Sequence, residues 1–247
     1  MKARRRGAGV FITGTDTGVG KTVVTAALAA TLIRSGHDVG VMKPVETGVR
    51  PSKPASADAA RLKAIVDSEE TLGAICPYRF ELPVAPVAAS HAERRSIDLG
   101  VIRQVYRLLA SRYDYTVVEG VGGVRVPLTA KADVMDLANI LKLPVVVVGR
   151  AGLGGINHAL LTVEALQRRK VPIVALVLNR TQPVRSAEMR LQERTTIEAL
   201  RKRTGVPVLG PLGYDPTLRK GFRRAVARIT RTASMAALAR LVKAAVR

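Results

Sequence analysis

Along the chain the apolar residues follow two alternating rhythms. One is a short run of Val, Ile and Leu closed by glycine, proline or asparagine, which predicts a buried strand. It occurs at "VFITG" (10–14), "DVGVMKP" (38–44), "YTVVEG" (115–120), "PVVVVG" (144–149), "PIVALVLN" (172–179) and "PVLG" (207–210). The other is the i, i+3, i+4 spacing of a half-buried helix. It covers 21–35, where Val24, Leu28 and Leu32 share a face, and 56–66, with Ser56 as its cap. It returns at 96–112, capped by Ser96, then at 131–141, 155–169 and 186–203, and in a terminal helix from about 232. The proline-rich stretch "CPYRFELPVAPVAAS" (76–90) has neither rhythm and reads as loop.

Strands alternating with helices predict an α/β fold, a parallel sheet flanked by helices on both faces. No repeat, low-complexity linker or composition break divides residues 1–247, so one domain is expected. Ligands in such sheets bind beyond the carboxyl ends of the strands. The chemistry is therefore expected at 14–22, 43–47, 119–123, 149–157 and 179–180.

The first of these segments is "GTDTGVGKT" (14–22), a glycine turn between a strand and a helix, the setting of a phosphate-binding loop. Backbone N–H groups from Gly18 to Thr22 would converge on an anion at the helix N-terminus. Lys21 would reach the terminal phosphates and the Thr22 hydroxyl a Mg²⁺ ion. The strict spacing wants glycine where Thr15 stands; Gly14 is one place early. Glu119 ends an apolar strand, where ATPases keep a second carboxylate for Mg²⁺; a glutamate facing solvent at a loop start fits equally. Gly120, Gly122 and Gly123 after it let backbone approach a ligand. Lys43, with Thr47 and Gly48 beyond, is either a ligand-edge cation or a surface lysine. Asp58 is either a metal ligand or a first-turn complement to the helix dipole. In "AGLGGINHALLT" (151–162) a second glycine turn opens a helix whose N-terminus suits a small carboxylate. His158, one turn in, reads as a packed histidine rather than a base.

Charge adds one complication. Lys and Arg number 40 against 19 Asp and Glu, a net charge of +21, which suits a polyanion partner. Nine of the basic residues, and no acidic one, lie between Thr217 and Arg247, and Lys2, Arg4, Arg5 and Arg6 crowd the other end. No aromatic-studded basic motif accompanies them, so nucleic-acid binding is not expected. The single cysteine, Cys76, excludes an internal disulfide and a cysteine metal cluster. No apolar run is long enough to span a bilayer, and the basic N-terminus leads straight into the first strand rather than into a cleavable leader. A cytoplasmic enzyme is the expectation.

"GTDTGVGKT", "MKPVETG", "VVEGVGG" followed by "VPL", and "LGGINHALLT" stand in the order and spacing of the dethiobiotin synthetases, and the chain resembles that family from about residue 9 to 212. The resemblance implies a homodimer with a P-loop NTPase-like fold. It implies a ligase that joins CO₂ to 7,8-diaminononanoate, using ATP and Mg²⁺. It assigns ATP to Thr15, Asp16, Thr17, Gly18, Val19, Gly20, Lys21, Thr22, Asp58, Glu119, Asn179, Pro211, Leu212 and Gly213, with Asn179 reading adenine. Mg²⁺ falls to Thr22, Asp58 and Glu119. The diamine falls to Thr17, Lys43, Thr47 and Gly122, and to Gly154, Gly155, Ile156 and Asn157 from across the dimer. Catalysis falls to Lys21, Lys43 and Thr47. Two departures stand out. Gly213 replaces a proline near the adenine, leaving ATP against CTP or GTP open, and Arg125 in "GVRVPL" takes a position more often apolar.

Two other readings share the loop. A cobyrinate-type amide synthetase would carry a glutaminase domain, for which the chain is too short. A partition- or Min-type ATPase switch would carry a signature lysine five residues before the loop lysine. Here that place holds Asp16, which argues against it.

Overall fold

The computed structural model describes residues 7–246, Ser56 by its backbone alone. Lys2, Arg4, Arg5, Arg6 and Arg247 lie outside the described residues. Six parallel strands form the central sheet: β1 (Ala8–Gly14), β2 (Val39–Met42), β5 (Tyr115–Gly123), β6 (Val145–Arg150), β7 (Ile173–Asn179) and β8 (Val208–Leu212). Their order is β2-β5-β1-β6-β7-β8, so the first strand lies inside the sheet and later strands add on both sides of it. The sheet is buried on both faces, which is why its strands read as continuous apolar runs.

Strand parity divides the core in two. Val10 and Ile12 of β1 face α1 (Lys21–Arg34), α2 (Asp58–Ile65), α9 (Phe222–Ile229) and α10 (Ala233–Ala245). Phe11 faces the opposite layer, made by α4 (Pro86–Ala92), α5 (Leu99–Arg112), α6 (Val134–Ile140), α7 (Gly155–Arg168) and α8 (Ala187–Arg203). Each fully buried Leu or Val on these faces contributes about 1.5–3 kcal/mol. The small sheet β3 (Val45–Glu46) and β4 (Tyr78–Arg79), with the single turn α3 (Leu72–Ile75), extends the carboxyl edge beyond β2.

Several details differ from the sequence expectation. The helix expected from residue 56 starts at Asp58, with Ala57 at its cap position. Asp98 rather than Ser96 caps α5, because its carboxylate is within 2.6 Å of the Gly100 N–H. The stretch 76–90 is not all loop: it holds β4 and the start of α4, a strand too short for periodicity and a helix that Pro86 opens. The basic C-terminal segment is no appendage. Val226, Ile229, Met235, Leu238 and Val242 are buried against α1, while Arg228, Arg231 and Arg240 between them face solvent. Arg125 pairs with Asp133 at 2.8 Å, and Arg169 reaches Asp136 at 3.5 Å. These two aspartates form the capping box of α6, so the arginines bracket a helix start.

Candidate active site

Sheet register gathers the site. Ile12 lies opposite Glu119 and Met42 opposite Val118, so the ends of β1, β5 and β2 bring the glycine loop, Glu119 and Lys43 side by side. The loop turns through Gly18 (φ 74°) and Gly20 (φ 101°), both in the left-handed region. A Cβ on Gly14 would stand 2.8 Å from the Asp16 carbonyl and 3.0 Å from Lys21 Nζ. The early glycine is therefore the one the loop folds over, which is why Thr15 is tolerated at the usual place. Gly20 starts α1 with no side-chain cap and no acidic residue in the first turn, leaving the helix's first N–H groups open to an anion. Lys21 Nζ donates to the loop's own Asp16 carbonyl at 2.9 Å. Burial, with Lys43 nearby, lowers its pKa to about 8.

Beside the loop lies a knot of charge. Lys43, 3% exposed, donates to Glu119 at 2.5 Å, to Asp58 at 3.3 Å and to the Gly120 carbonyl at 3.2 Å. The Thr22 hydroxyl donates to Glu119 at 2.8 Å. Burial opposes a charge on Lys43, but the two carboxylates outweigh it and hold the ammonium above its usual range. Glu119 is wholly buried, and its Oε2 has no hydrogen-bond partner. An orphaned buried carboxylate oxygen, a second carboxylate and a threonine hydroxyl around one cation are a hard-oxygen set that fits Mg²⁺.

Glu46, which the sequence did not single out, explains the freedom of Asp58. Its carboxylate accepts from the Asp58 and Ala59 N–H groups at 2.5 and 3.2 Å, capping α2 from β3. The helix dipole is served by Glu46, and the Asp58 carboxylate turns to Lys43 instead.

These groups line a cleft of about 600 Å³. Of the expected residues, Thr17, Gly18, Gly20, Lys21, Thr22, Lys43, Thr47, Asp58, Glu119 and Gly122 meet there. Thr15, Asp16 and Val19, within the loop, and Asn179 beside it do not line the cleft. Asn179 Nδ2 donates to the Val19 carbonyl at 2.9 Å, and Asp16 pairs with Arg150 at 3.2 Å. Pro211, Leu212 and Gly213 close β8 next to Asn179, Gly213 being exposed. Gly154, Gly155, Ile156 and Asn157 open α7 and do not line the cleft; Leu153 beside them is 82% exposed. His158 is half-buried and outside the cleft as well. Arg61, Leu218, Arg219 and Phe222 line it and were not foreseen. Helical spacing from Asp58 to Arg61 was the one available signal, since both share a face of α2.

A central glycine loop feeding an uncapped helix, with a lysine, a threonine and a strand-end glutamate around it, defines a P-loop nucleotide-binding enzyme. A family model described as an AAA domain matches residues 8–221. The chain is 51% identical over 175 residues to the ATP-dependent dethiobiotin synthetase BioD of Anaeromyxobacter sp. (strain K), covering 71% of this chain and 78% of that one. It is 38% identical over 222 residues to the namesake of Thermodesulfovibrio yellowstonii, covering 86% and 91%. The chain belongs to the ATP-dependent dethiobiotin synthetase family. Among solved structures it is similar to the cell division ATPase MinD of Pyrococcus furiosus, with a TM-score of 0.57, 19% identity, and 96% and 97% of the two chains covered. It is also similar to the septum site-determining protein MinD of Pyrococcus horikoshii complexed with Mg-ADP, with a TM-score of 0.58, 15% identity and 96% of each chain covered. At these identities the likeness is one of fold. Among the described residues no helix is long and apolar enough to cross a membrane.

Proposed function

We propose that this chain makes dethiobiotin from 7,8-diaminononanoate, CO₂ and ATP, as a cytoplasmic homodimer. The observation that carries the reading is the convergence of Lys21, Thr22, Lys43, Thr47, Asp58 and Glu119 in one cleft that also has an apolar wall. That wall, Pro83, Val84, Pro86, Val121 and Val126, suits the hydrocarbon chain of the diamine.

One amine attacks CO₂ and loses a proton, giving a carbamate. The carbamate oxygen takes the γ-phosphoryl group as ADP leaves. The second amine then attacks the carbonyl carbon and expels phosphate, closing the cyclic urea. An amine must be neutral to attack, and its free pKa is near that of lysine, about 10. Lys21 and Lys43, both in the cleft, favour the neutral form by repulsion. The same two lysines offset the charge of the carbamate and of the moving phosphoryl group, and Thr47 and the Thr17 hydroxyl orient the carbamate. Thr22, Asp58 and Glu119 would hold Mg²⁺, which supplies charge neutralisation on the β- and γ-phosphates. The Oδ1 of Asn179 remains available to accept from the adenine amine, since the Asn179 Nδ2 is spent on Val19. The α7 N-terminus, Gly154 to Asn157, serves the substrate carboxylate of the other protomer, a role its position outside the cleft of its own chain supports.

The test is ADP release with and without diamine and bicarbonate. Strong dependence on both supports the reading, and hydrolysis indifferent to either rejects it. Lys43→Gln is expected to lose turnover; normal turnover would remove Lys43 from the mechanism.

A further inference from the structure

The cleft has two lips, one on each face of the sheet. The apolar lip packs on the α4–α8 face through Val121 and Val126. The other packs on the α1 face, and it is different in kind: Val23, Leu218 and Phe222 carry two guanidinium groups, Arg61 and Arg219.

Those two arginines stand out once the other charges are paired off. Lys43 is occupied by Glu119 and Asp58, Glu46 by the N-terminus of α2, and Lys21 by the loop carbonyl. Among the described residues neither Arg61 nor Arg219 has a carboxylate partner. Arg61 stacks on the Phe222 ring, 5.3 Å from Cζ to centroid, which fixes the guanidinium without neutralising it. Arg219 sits on the 3₁₀ turn Pro216–Arg219, and that turn is braced. Asp215 accepts from the Thr217 N–H at 2.9 Å and from Arg228 of α9 at 2.5 Å. A braced cation without a counter-ion, at the mouth of a phosphate-loop cleft, is built for an anion.

We propose that Arg61 and Arg219 grip the phosphate chain of the bound nucleotide from the solvent side, so that the C-terminal segment completes the nucleotide site. The inference rests on the nucleotide-binding part of the reading above. Geometry favours phosphate over the diamine's carboxylate. Arg61 is one turn beyond Asp58 on α2, beside the groups that face the β- and γ-phosphates, whereas the wall suited to a hydrocarbon chain is on the opposite lip. A forked guanidinium also matches phosphate oxygens bidentately.

Binding of MgATP, inorganic triphosphate, adenosine and the diamine should be measured on the full chain, for the wild type, Arg219→Ala, Arg219→Lys and Arg61→Ala. Each alanine variant is expected to weaken MgATP and triphosphate about tenfold and to leave adenosine and the diamine within about twofold. Arg219→Lys is expected to recover part of the loss, and the dependence of MgATP binding on salt should flatten in both alanine variants. Arg61 also packs on Phe222, so if Arg61→Ala unfolds, Arg219→Ala decides alone, its side chain being exposed and braced only through backbone. Unchanged triphosphate affinity, or a loss confined to the diamine, overturns the grip. A wild type that binds MgATP yet makes no ADP with diamine and bicarbonate would defeat the proposed reaction and leave the grip standing.

Discussion

The sharpest test of the site's electrostatics is Lys43→Met. The change keeps the apolar stem and removes the ammonium that Glu119 meets at 2.5 Å. Glu119 is wholly buried and its Oε2 already lacks a partner, so the variant leaves a carboxylate supported only by the Thr22 hydroxyl. Leaving one member of a buried pair uncompensated costs about 3–5 kcal/mol. The second contact, to an Asp58 side chain that is 34% exposed, adds no more than about 1 kcal/mol after solvent screening. For a chain of this size about 2–4 °C follows each kcal/mol, so the melting midpoint should fall by roughly 6–24 °C. The assay is thermal unfolding followed by circular dichroism, in the wild type, both single variants and Lys43→Met with Glu119→Gln. Removing the second charge should return most of the loss, giving a large coupling energy. Mg²⁺ should protect Lys43→Met more than the wild type, in which the ammonium already occupies the carboxylates. A drop of less than about 2 °C, or the same drop with Gln at position 119, would refute the reasoning.

Three further outcomes follow from other parts of the fold. Gly20→Ala would place a Cβ 2.2 Å from Asn179 Nδ2 at a φ of 101°, so nucleotide binding should be lost together with at least about 1–2 kcal/mol of stability; calorimetric titration with ATP checks it. Ending the chain at residue 232 removes the buried side chains of Met235, Leu238 and Val242, about 5–9 kcal/mol of burial, which rivals the whole stability of a domain; the product should be insoluble or unfolded by circular dichroism. Burial pushes the Cys76 thiol up, so alkylation by iodoacetamide at pH 8 should await unfolding. Because the folded-state value lies above the unfolded one of about 8.5, Cys76 contributes stability below that pH and loses it above. The advantage of the wild type over Cys76→Ala in denaturant titrations should then narrow by up to about 1.4 kcal/mol per pH unit.

The strands were legible because a doubly covered parallel sheet demands unbroken apolar runs, and the loop because its glycines stand between strand and helix. The charge knot was only half legible. Taken residue by residue, Lys43, Asp58 and Glu119 could be suspected only singly, and the family resemblance grouped Asp58 and Glu119 but not their pairing with Lys43. The register that sets Met42 against Val118 and Ile12 against Glu119 brings Lys43 and Glu119 together. Glu46 escaped because a glutamate in a two-residue strand gives no sign that it caps a helix twelve residues on. Arg219 and Phe222 escaped for another reason. Their neighbours are so rich in arginine that the segment reads as a solvated tail, and the apolar stripe of α9 (Ala225, Val226, Ile229) is only two turns long.

The packing of α9 and α10 on α1 has a consequence for the order in which the molecule is made. The helix behind the phosphate loop ends at Arg34, yet the residues that cover its outer face span 222–245. At about 5–20 residues per second on the ribosome, that helix waits roughly 10–40 seconds for its cover. During that interval Val24, Leu28 and Leu32 have only the sheet and α2 to pack against, and the nucleotide cleft lacks the lip bearing Arg219. A nascent chain halted before residue 222 should therefore engage chaperones through the apolar flank of α1, and ATP should be unable to rescue it.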